Sequence, residues 1–246
     1  MTRFVLSLIY LIILPGLLSA FLYYARVFLV FPLWLAFFLF GTVFGILLDR
    51  FLLSSFPRVE IFEHELTHAL VAFLFFRSIR KFIVTARGGG SVTHSAGRGG
   101  RFGDDFIGLA PYILPTFTVF FVLFQPLVPP DVFFLFALWI GCTFGFHLSS
   151  TLREIKRNWT SRRFSSAGSG EMVQSDIARR GFLYSAISIS TWTLLIHGLL
   201  LAVFLKGYRG VPVWWRQFWP AFRSTLALLG NFINDILIWL QRMLAK

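Results

Sequence analysis

The 246-residue chain is too apolar for an ordinary water-soluble domain, since 57% of its residues are hydrophobic and 14% are charged. Its net charge of +12 does not indicate a nucleic-acid partner, because the basic residues cluster between apolar runs, as in cytoplasmic loops of membrane proteins. The single cysteine, Cys142, excludes an intramolecular disulfide and a thiolate-rich zinc site. We therefore expect an all-α polytopic protein in a lipid bilayer, with any metal bound by histidine and carboxylate.

Apolar runs of about 20 residues, the length that crosses a bilayer as a helix, predict five or six transmembrane helices. Between the second and third runs, a further helix is expected from Val59 to Phe76, where a basic cluster follows it. The apolar runs cover 4–24, 28–48, 106–128, 132–148 and 182–205, with 226–244 as either an interfacial helix or a sixth span.

The segments between these runs complete the predicted organisation. Residues 82–102 are rich in glycine and β-branched residues, which predicts a short β-hairpin or loop. Pro111 and Pro115 are expected to kink the next helix, which forms a helical hairpin over 106–148 and leads into a basic loop at 152–180. We divide the chain into N-terminal helices (1–58), a membrane core (59–205) and a C-terminal aromatic interfacial segment with the last helix (206–246).

The chemistry concentrates in His64-Glu65-Leu66-Thr67-His68. Residues four apart on a helix project from nearly the same side, so both imidazoles can bind one tetrahedral ion. Glu65 can reach a water in the open position of that ion and act as general base. Hydrogen-bonded histidines without any metal are the structural alternative. Because polar groups are costly at bilayer depth, we favour a metal site that requires a third protein ligand.

Together with its surroundings, this motif resembles the site-2 protease family of intramembrane zinc metalloproteases (M50-like). The resemblance runs from Glu63 to Leu70, through Gly88-Gly89-Gly90-Ser91-Val92, and more weakly to Gly108-Leu109-Ala110-Pro111-Tyr112. It implies hydrolysis of peptide bonds within or beside the membrane, with one Zn²⁺ per chain and residues 59–205 as the metalloprotease core. It also implies that the glycine-rich strand, with Gly89, Gly90, Ser91 and Val92, pairs with an unwound substrate segment.

The family takes its third ligand from an Asp in a later helix, and Asp176 is our candidate for that role. The Asp-Gly signature of the family is absent here, because Ile177 follows Asp176, and Asp176 could instead cap its helix. His147 is the alternative third ligand. Glu154 and Glu171 are expected to be solvated charges in the basic loop.

Other ionisable residues have simpler interpretations. His94 could contact substrate or metal, but a solvent-exposed loop histidine is the more common case. Asp104 and Asp105 precede an apolar stretch and are expected to cap its helix. If the segments 77–101 and 153–180 are both cytoplasmic, the motif helix enters from the outer side and the amino terminus lies outside.

The leading function is a zinc-dependent, membrane-embedded endopeptidase that hydrolyses membrane-associated substrates, with Glu65 activating a zinc-bound water. Two alternatives stay open: a membrane-anchored metalloprotease that cleaves at the membrane surface, and a non-catalytic metal-binding membrane regulator. The expected partners are a membrane protein or peptide substrate and the lipid bilayer, without nucleic acid. A multi-pass protein of the bacterial cytoplasmic membrane is expected.

Overall fold

The computed structural model describes residues 2–53, 56–85, 89–164 and 176–244. Glu171 and much of the predicted basic loop therefore lie outside the described residues. Nine α-helices and one two-stranded sheet make up the described part of the chain. In chain order they are α1 (Thr2–Leu29), α2 (Pro32–Phe51), α3 (Pro57–Leu74), β1 (Ile79–Val84), β2 (Gly90–His94), α4 (Gly100–Leu109), α5 (Thr116–Val122), α6 (Phe133–Phe164), α7 (Asp176–Arg180), α8 (Phe182–Lys206) and α9 (Gly210–Leu244).

Four helical segments within the described ranges are long and apolar enough to cross a membrane. A fifth candidate is the pair Gly100–Tyr112 and Thr116–Leu127, which is bent by 87°. The break lies at Pro111 and Pro115, as expected for residues that cannot continue a helical hydrogen-bond ladder. The all-α polytopic prediction is confirmed. The four segments are Thr2–Leu29, Pro32–Phe51, Pro130–Lys156 and Phe182–Met243, and the motif helix α3 is not one of them.

The segment Phe182–Met243 contains two helices, α8 and α9, that pack against each other in opposite directions. The chain reverses at Gly207, whose φ of 60° suits a residue without a Cβ. Trp214 of α9 then contacts Gly198 of α8, and the Tyr24 hydroxyl of α1 donates to the Gly210 carbonyl at 2.7 Å. The first half of α9 is thus part of the bundle. From residue 228 onwards its described side chains are exposed. The two alternatives for 226–244, a sixth span or an interfacial helix, stay predictions.

α2 and α6 run parallel with their backbones in direct contact. Each helix carries two glycines four residues apart, Gly41 and Gly45 on α2 and Gly141 and Gly145 on α6. A Cβ built on any of them would lie 2.0 or 2.1 Å from a carbonyl oxygen of the partner helix. Small residues at this spacing let helices approach closely in a bilayer, where packing replaces the hydrophobic effect as the source of association. The contact between α2 and α6 is not among the features predicted from the sequence.

β1 and β2 form an antiparallel hairpin, paired from Ile79 with His94 to Val84 with Gly90. The predicted hairpin is confirmed, and it packs against α3. The pairing of β1 with β2 leaves one edge of β2 without a strand neighbour among the described residues. β2 is therefore a short strand that begins at a glycine and has a strand neighbour on one edge only among the described residues.

Ion pairs connect several helix ends on one side of the bundle, which we call the site face. Arg153 of α6 binds Asp49 of α2 at 2.7 Å and Glu60 of α3 at 3.0 Å. Arg3 of α1 binds Asp105 of α4 at 2.8 Å and donates to the backbone carbonyl of Arg180 at 3.1 Å. The start of α1 thus lies on the same face as both basic segments. The expectation that those segments and the amino terminus face opposite sides is wrong, because Arg3 near the amino terminus directly contacts Asp105 and Arg180.

Asp104 and Asp105 do not cap a helix. α4 begins four residues earlier, at Gly100, with Gly99 as a cap that makes no side-chain hydrogen bond. Asp104 pairs with buried Arg77, while Asp105 is 4% exposed between Arg3 and Arg180. The cap prediction is wrong because these carboxylates bind arginines from distant parts of the chain, which sequence spacing does not reveal.

Candidate metal centre

The structure brings together the three residues predicted as metal ligands. The Nε2 atoms of His64 and His68, one turn apart on α3, are 3.1 Å apart. Oδ2 of Asp176, at the start of α7, lies 3.6 Å from His68 Nε2. One potential ligand atom from each residue falls within 4.8 Å of the others, and no other such group of His, Cys, Asp or Glu occurs among the described residues. Their role as ligands stays a prediction.

The second nitrogen of each imidazole is already hydrogen bonded. His68 Nδ1 lies 2.7 Å from the Ile107 carbonyl oxygen, and His64 Nδ1 lies 2.9 Å from Glu154 Oε2. Carbonyl and carboxylate oxygens only accept, so both Nδ1 atoms must donate. Burial opposes protonation of His64, but Glu154 outweighs it and raises the pKa of that imidazole, so a proton between the two Nε2 atoms is the metal-free arrangement. When both imidazoles are neutral, the Nε2 atoms are unprotonated and face each other with their lone pairs. A shared cation relieves that repulsion, and a partner on the second nitrogen is usual for metal-binding histidines.

The spacing of the two Nε2 atoms also fits one ion. Zinc binds histidine nitrogen at about 2.0–2.1 Å in tetrahedral geometry, which separates two ligand nitrogens by roughly 3.3 Å. The observed separation is 3.1 Å. The donor set of two imidazoles and one carboxylate is that of a catalytic zinc site with a fourth position open. The residues present therefore fit zinc.

Glu65 lies beside the two histidines and is 8% exposed. It lines a cleft of about 420 Å³ together with His64, His68 and Asp176. Gly90 of β2 is so close that a Cβ there would lie 2.5 Å from Glu65 Oε1. Only glycine at this position leaves room for the Glu65 carboxylate beside the hairpin.

Burial shifts the pKa of two groups on α3. Burial, reinforced by neighbouring His64, lowers the pKa of His68, which favours the neutral imidazole, the form that binds a metal. Burial also raises the pKa of Glu65 above its usual value, although His64 opposes the change. A carboxylate with a raised pKa is a stronger base, which suits a proton acceptor.

The predicted substrate residues lie on both sides of the start of β2. Gly90, Ser91 and Val92 line the cleft. Gly89 lies in the hairpin turn, where its N–H donates to the Thr85 hydroxyl at 2.9 Å. The structure thus places three of the four residues beside Glu65, and their contact with substrate stays a prediction.

The alternative third ligand, His147, is not part of the cluster of potential ligands in the described residues. Its Nδ1 is 3.3 Å from Glu63 Oε1, and both side chains are buried. His94 lines the cleft, with Nδ1 directed at the Ser95 carbonyl at 3.0 Å. The geometry therefore favours Asp176 over His147.

Sequence reasoning missed the part played by Glu154. Instead of a solvated loop charge, it lies on α6, binds His64 and accepts a hydrogen bond of 2.7 Å from the Tyr112 hydroxyl. The solvated-charge prediction is wrong because α6 extends beyond the membrane run to Phe164. A signal was present: 147, 151 and 154 share one helical face with polar residues at i, i+4 and i+7.

Fold and centre together define a multi-pass membrane protein with a candidate histidine–aspartate metal centre and an adjacent carboxylate base. Residues 37–163 match the model of the Peptidase M50B-like family, so the chain belongs to that family. The match confirms the resemblance to site-2 proteases, and membership implies membrane metalloprotease activity. Asp176 lies beyond the matched residues. No curated protein and no solved structure matches the chain.

Proposed function

We propose that the chain is a zinc-dependent endopeptidase that hydrolyses peptide bonds of membrane-associated substrates. The observation that supports this most strongly is the pair of facing Nε2 atoms on His64 and His68, 3.1 Å apart, each on an imidazole whose Nδ1 is already hydrogen bonded. Asp176 completes a donor set that suits zinc. Glu65, next to this set, supplies the base that hydrolysis needs.

The proposed mechanism assigns one role to the metal and the remainder to the protein. Zinc, when bound, polarises the scissile carbonyl and makes water more acidic. Glu65 accepts a proton from the attacking water and returns it to the leaving nitrogen as the peptide bond breaks. His64, His68 and Asp176 would hold the ion, while Glu154 and the Ile107 carbonyl fix the orientation of the two imidazoles.

The substrate is proposed to bind as an extended segment along β2. The edge of β2 that lacks a strand neighbour in the described structure can form main-chain hydrogen bonds with an added strand. Gly90, Ser91 and Val92 line the same cleft as Glu65, so a segment paired there lies within reach of the base. A membrane helix must unwind before it can pair in this way, because a helix satisfies its own backbone groups.

Charge distribution supports a cytoplasmic site face. Basic residues at the opposite end of the bundle include Arg26, Lys206 and Arg209, whereas the site face carries Arg3, Arg50, Arg58, Arg77, Arg98, Arg153, Arg179 and Arg180. Positive residues are enriched on the cytoplasmic side. In a Cys142→Ser background, a membrane-impermeant maleimide added to intact cells should label Arg209→Cys and not Arg101→Cys. The reverse pattern would contradict this orientation.

The decisive experiment compares Glu65→Gln with His64→Ala in purified protein. Glu65→Gln should keep about one zinc per chain and lose ~10²–10⁴-fold in peptide cleavage, because it removes the base and leaves the ligands intact. His64→Ala should lose zinc as well as cleavage. Metal content is measured by elemental analysis and cleavage with a membrane-anchored peptide.

Other outcomes separate the remaining functions. Full cleavage by Glu65→Gln would refute the proposed mechanism. Zinc in the unaltered protein without cleavage of any membrane or soluble peptide would favour a metal-binding regulator. Crosslinking from Val92 to a soluble peptide, with none to a transmembrane peptide, would favour cleavage at the membrane surface.

A further inference from the structure

Arg180, at the end of α7, contacts the candidate third ligand through one nitrogen of its guanidinium, Nη1. Nη1 donates to Oδ1 of Asp176 at 3.0 Å and to the Asp176 backbone carbonyl at 2.8 Å. The other carboxylate oxygen, Oδ2, is the one directed at His68 Nε2. Asp176 therefore divides its two oxygens between the arginine and the candidate metal position.

The remaining nitrogens of Arg180 lie beside α4, where Nη2 is hydrogen bonded and the buried Nε makes no hydrogen bond. Nη2 donates to the Asp104 backbone carbonyl at 2.8 Å, and Nε lies 3.4 Å from Asp105 Oδ1. The side chain is 12% exposed. Nη1 and Nη2 donate to protein oxygens, and two of these three hydrogen bonds go to Asp176. Its contacts are those of a residue that orients Asp176.

Gly108 of α4 creates the space that Arg180 occupies. A Cβ at Gly108 would lie 1.7 Å from Arg180 Nη2, so any other residue must displace the guanidinium. Glycine otherwise weakens the interior of a helix by about 1 kcal/mol relative to alanine. Gly108 has no positive φ, so the helix itself does not require glycine. The contact with Arg180 does require it.

We infer that Arg180 is a positioning residue that, seated on Gly108, fixes the Asp176 carboxylate with Oδ2 toward the metal. This inference rests on the proposed function, because it assumes that Asp176 binds the metal. The planar guanidinium suits the task, since Nη1 holds one oxygen of the carboxylate while Nη2 binds α4. Arg3 extends the same network by binding Asp105 and the Arg180 carbonyl.

The test measures zinc affinity of the purified full-length chain with a competing chromophoric chelator. Arg180→Gln removes the guanidinium, and Gly108→Ala displaces the guanidinium without altering the arginine. Both should weaken zinc binding by about 10- to 100-fold, the usual effect of losing a group that orients a ligand. Gly230→Ala is the matched control, because a Cβ at Gly230 of α9 meets nothing within 4 Å, and its affinity should equal that of the unaltered chain.

A double-mutant cycle with Asp176→Asn separates positioning from a general structural role. If Arg180 acts through Asp176, Arg180→Gln should cause no further loss of affinity once Asp176→Asn is present. The visible absorption of the Co²⁺-substituted Arg180→Gln protein should also differ from that of Asp176→Asn, since the carboxylate is misoriented rather than removed.

Two results would overturn the inference while leaving the proposed function intact. One is unaltered zinc affinity in Arg180→Gln when Asp176→Asn weakens binding. The other is an equal loss from Arg180→Gln in both backgrounds. Unaltered zinc affinity in His64→Ala and Asp176→Asn would instead refute the metal centre itself. If the new methyl of Gly108→Ala prevents folding, the cycle with Arg180→Gln still decides between these outcomes.

Discussion

The α2–α6 pair and the candidate metal centre are held together by different forces. Across the α2–α6 contact, four glycines allow backbone to touch backbone, so dispersion forces between closely packed atoms stabilise it. At the centre, short elements such as α4 and α7 are connected by ion pairs and hydrogen bonds, among them His64 with Glu154 and Arg180 with Asp176. Close packing therefore stabilises the first region, and ion pairs and hydrogen bonds stabilise the second.

This difference separates stability from chemistry. The glycine contact between α2 and α6, which we call the glycine pair, positions α6. In turn, α6 carries His147, Arg153 and Glu154 to the site face. A change in the pair should therefore affect the whole fold, whereas a change at the centre should affect metal binding with little effect on the fold. Each of the following variants tests one side of that distinction.

Gly45→Leu should have the largest effect. A Cβ at Gly45 would lie 2.1 Å from the Cys142 carbonyl oxygen, and backbone cannot move aside as a side chain can. Overpacking usually costs about 1–3 kcal/mol, and we expect at least ~3 kcal/mol here, seen as a loss of folded protein or a lower unfolding temperature in detergent. Gly230→Leu, in open space on α9, is the control. Equal stability of both variants would contradict the role of the glycine pair.

Glu154→Gln should have an intermediate effect that is confined to the centre. The amide keeps its size but loses the charge that holds His64 Nδ1 at 2.9 Å. Zinc affinity should fall by ~10- to 100-fold, or about 1.4–2.7 kcal/mol, measured by chelator competition. Its unfolding temperature without metal should stay close to that of the unaltered chain. A marked loss of stability with unaltered zinc affinity would reverse the assignment of this residue.

Thr118→Val should have the smallest effect. The Thr118 hydroxyl of α5 donates to the Thr143 hydroxyl of α6 at 3.0 Å, and valine preserves the shape while removing that bond. We expect a loss of about 0.5–1.5 kcal/mol in unfolding free energy, with zinc affinity unaltered. Thr225→Val, whose hydroxyl bonds within its own helix, should change stability less. A drop in zinc affinity would show that α5 is coupled to the centre.

The sequence predicted the features that depend on local pattern. The apolar runs, the break at Pro111 and Pro115, the hairpin and the spacing of His64 and His68 each follow from neighbouring residues. The contacts of Glu154, Arg180 and Asp105 join residues up to about a hundred positions apart, and composition gives no information on such pairs. The contact between α2 and α6, in contrast, could have been predicted, because both helices carry glycines four residues apart, a spacing that indicates close packing. Asp176 came from family resemblance, and geometry now places it near His68.

The separation of the candidate ligands along the chain has a consequence for biogenesis. His64 and His68 are synthesised about a hundred residues before Asp176, and α6 with Glu154 lies between them. At ~5–20 residues per second, the interval is roughly 5–20 s. During that time the nascent chain contains Glu65 and both imidazoles but not the candidate third ligand. Under the proposed function, the centre is therefore complete only after α7 has been synthesised and has reached the site face.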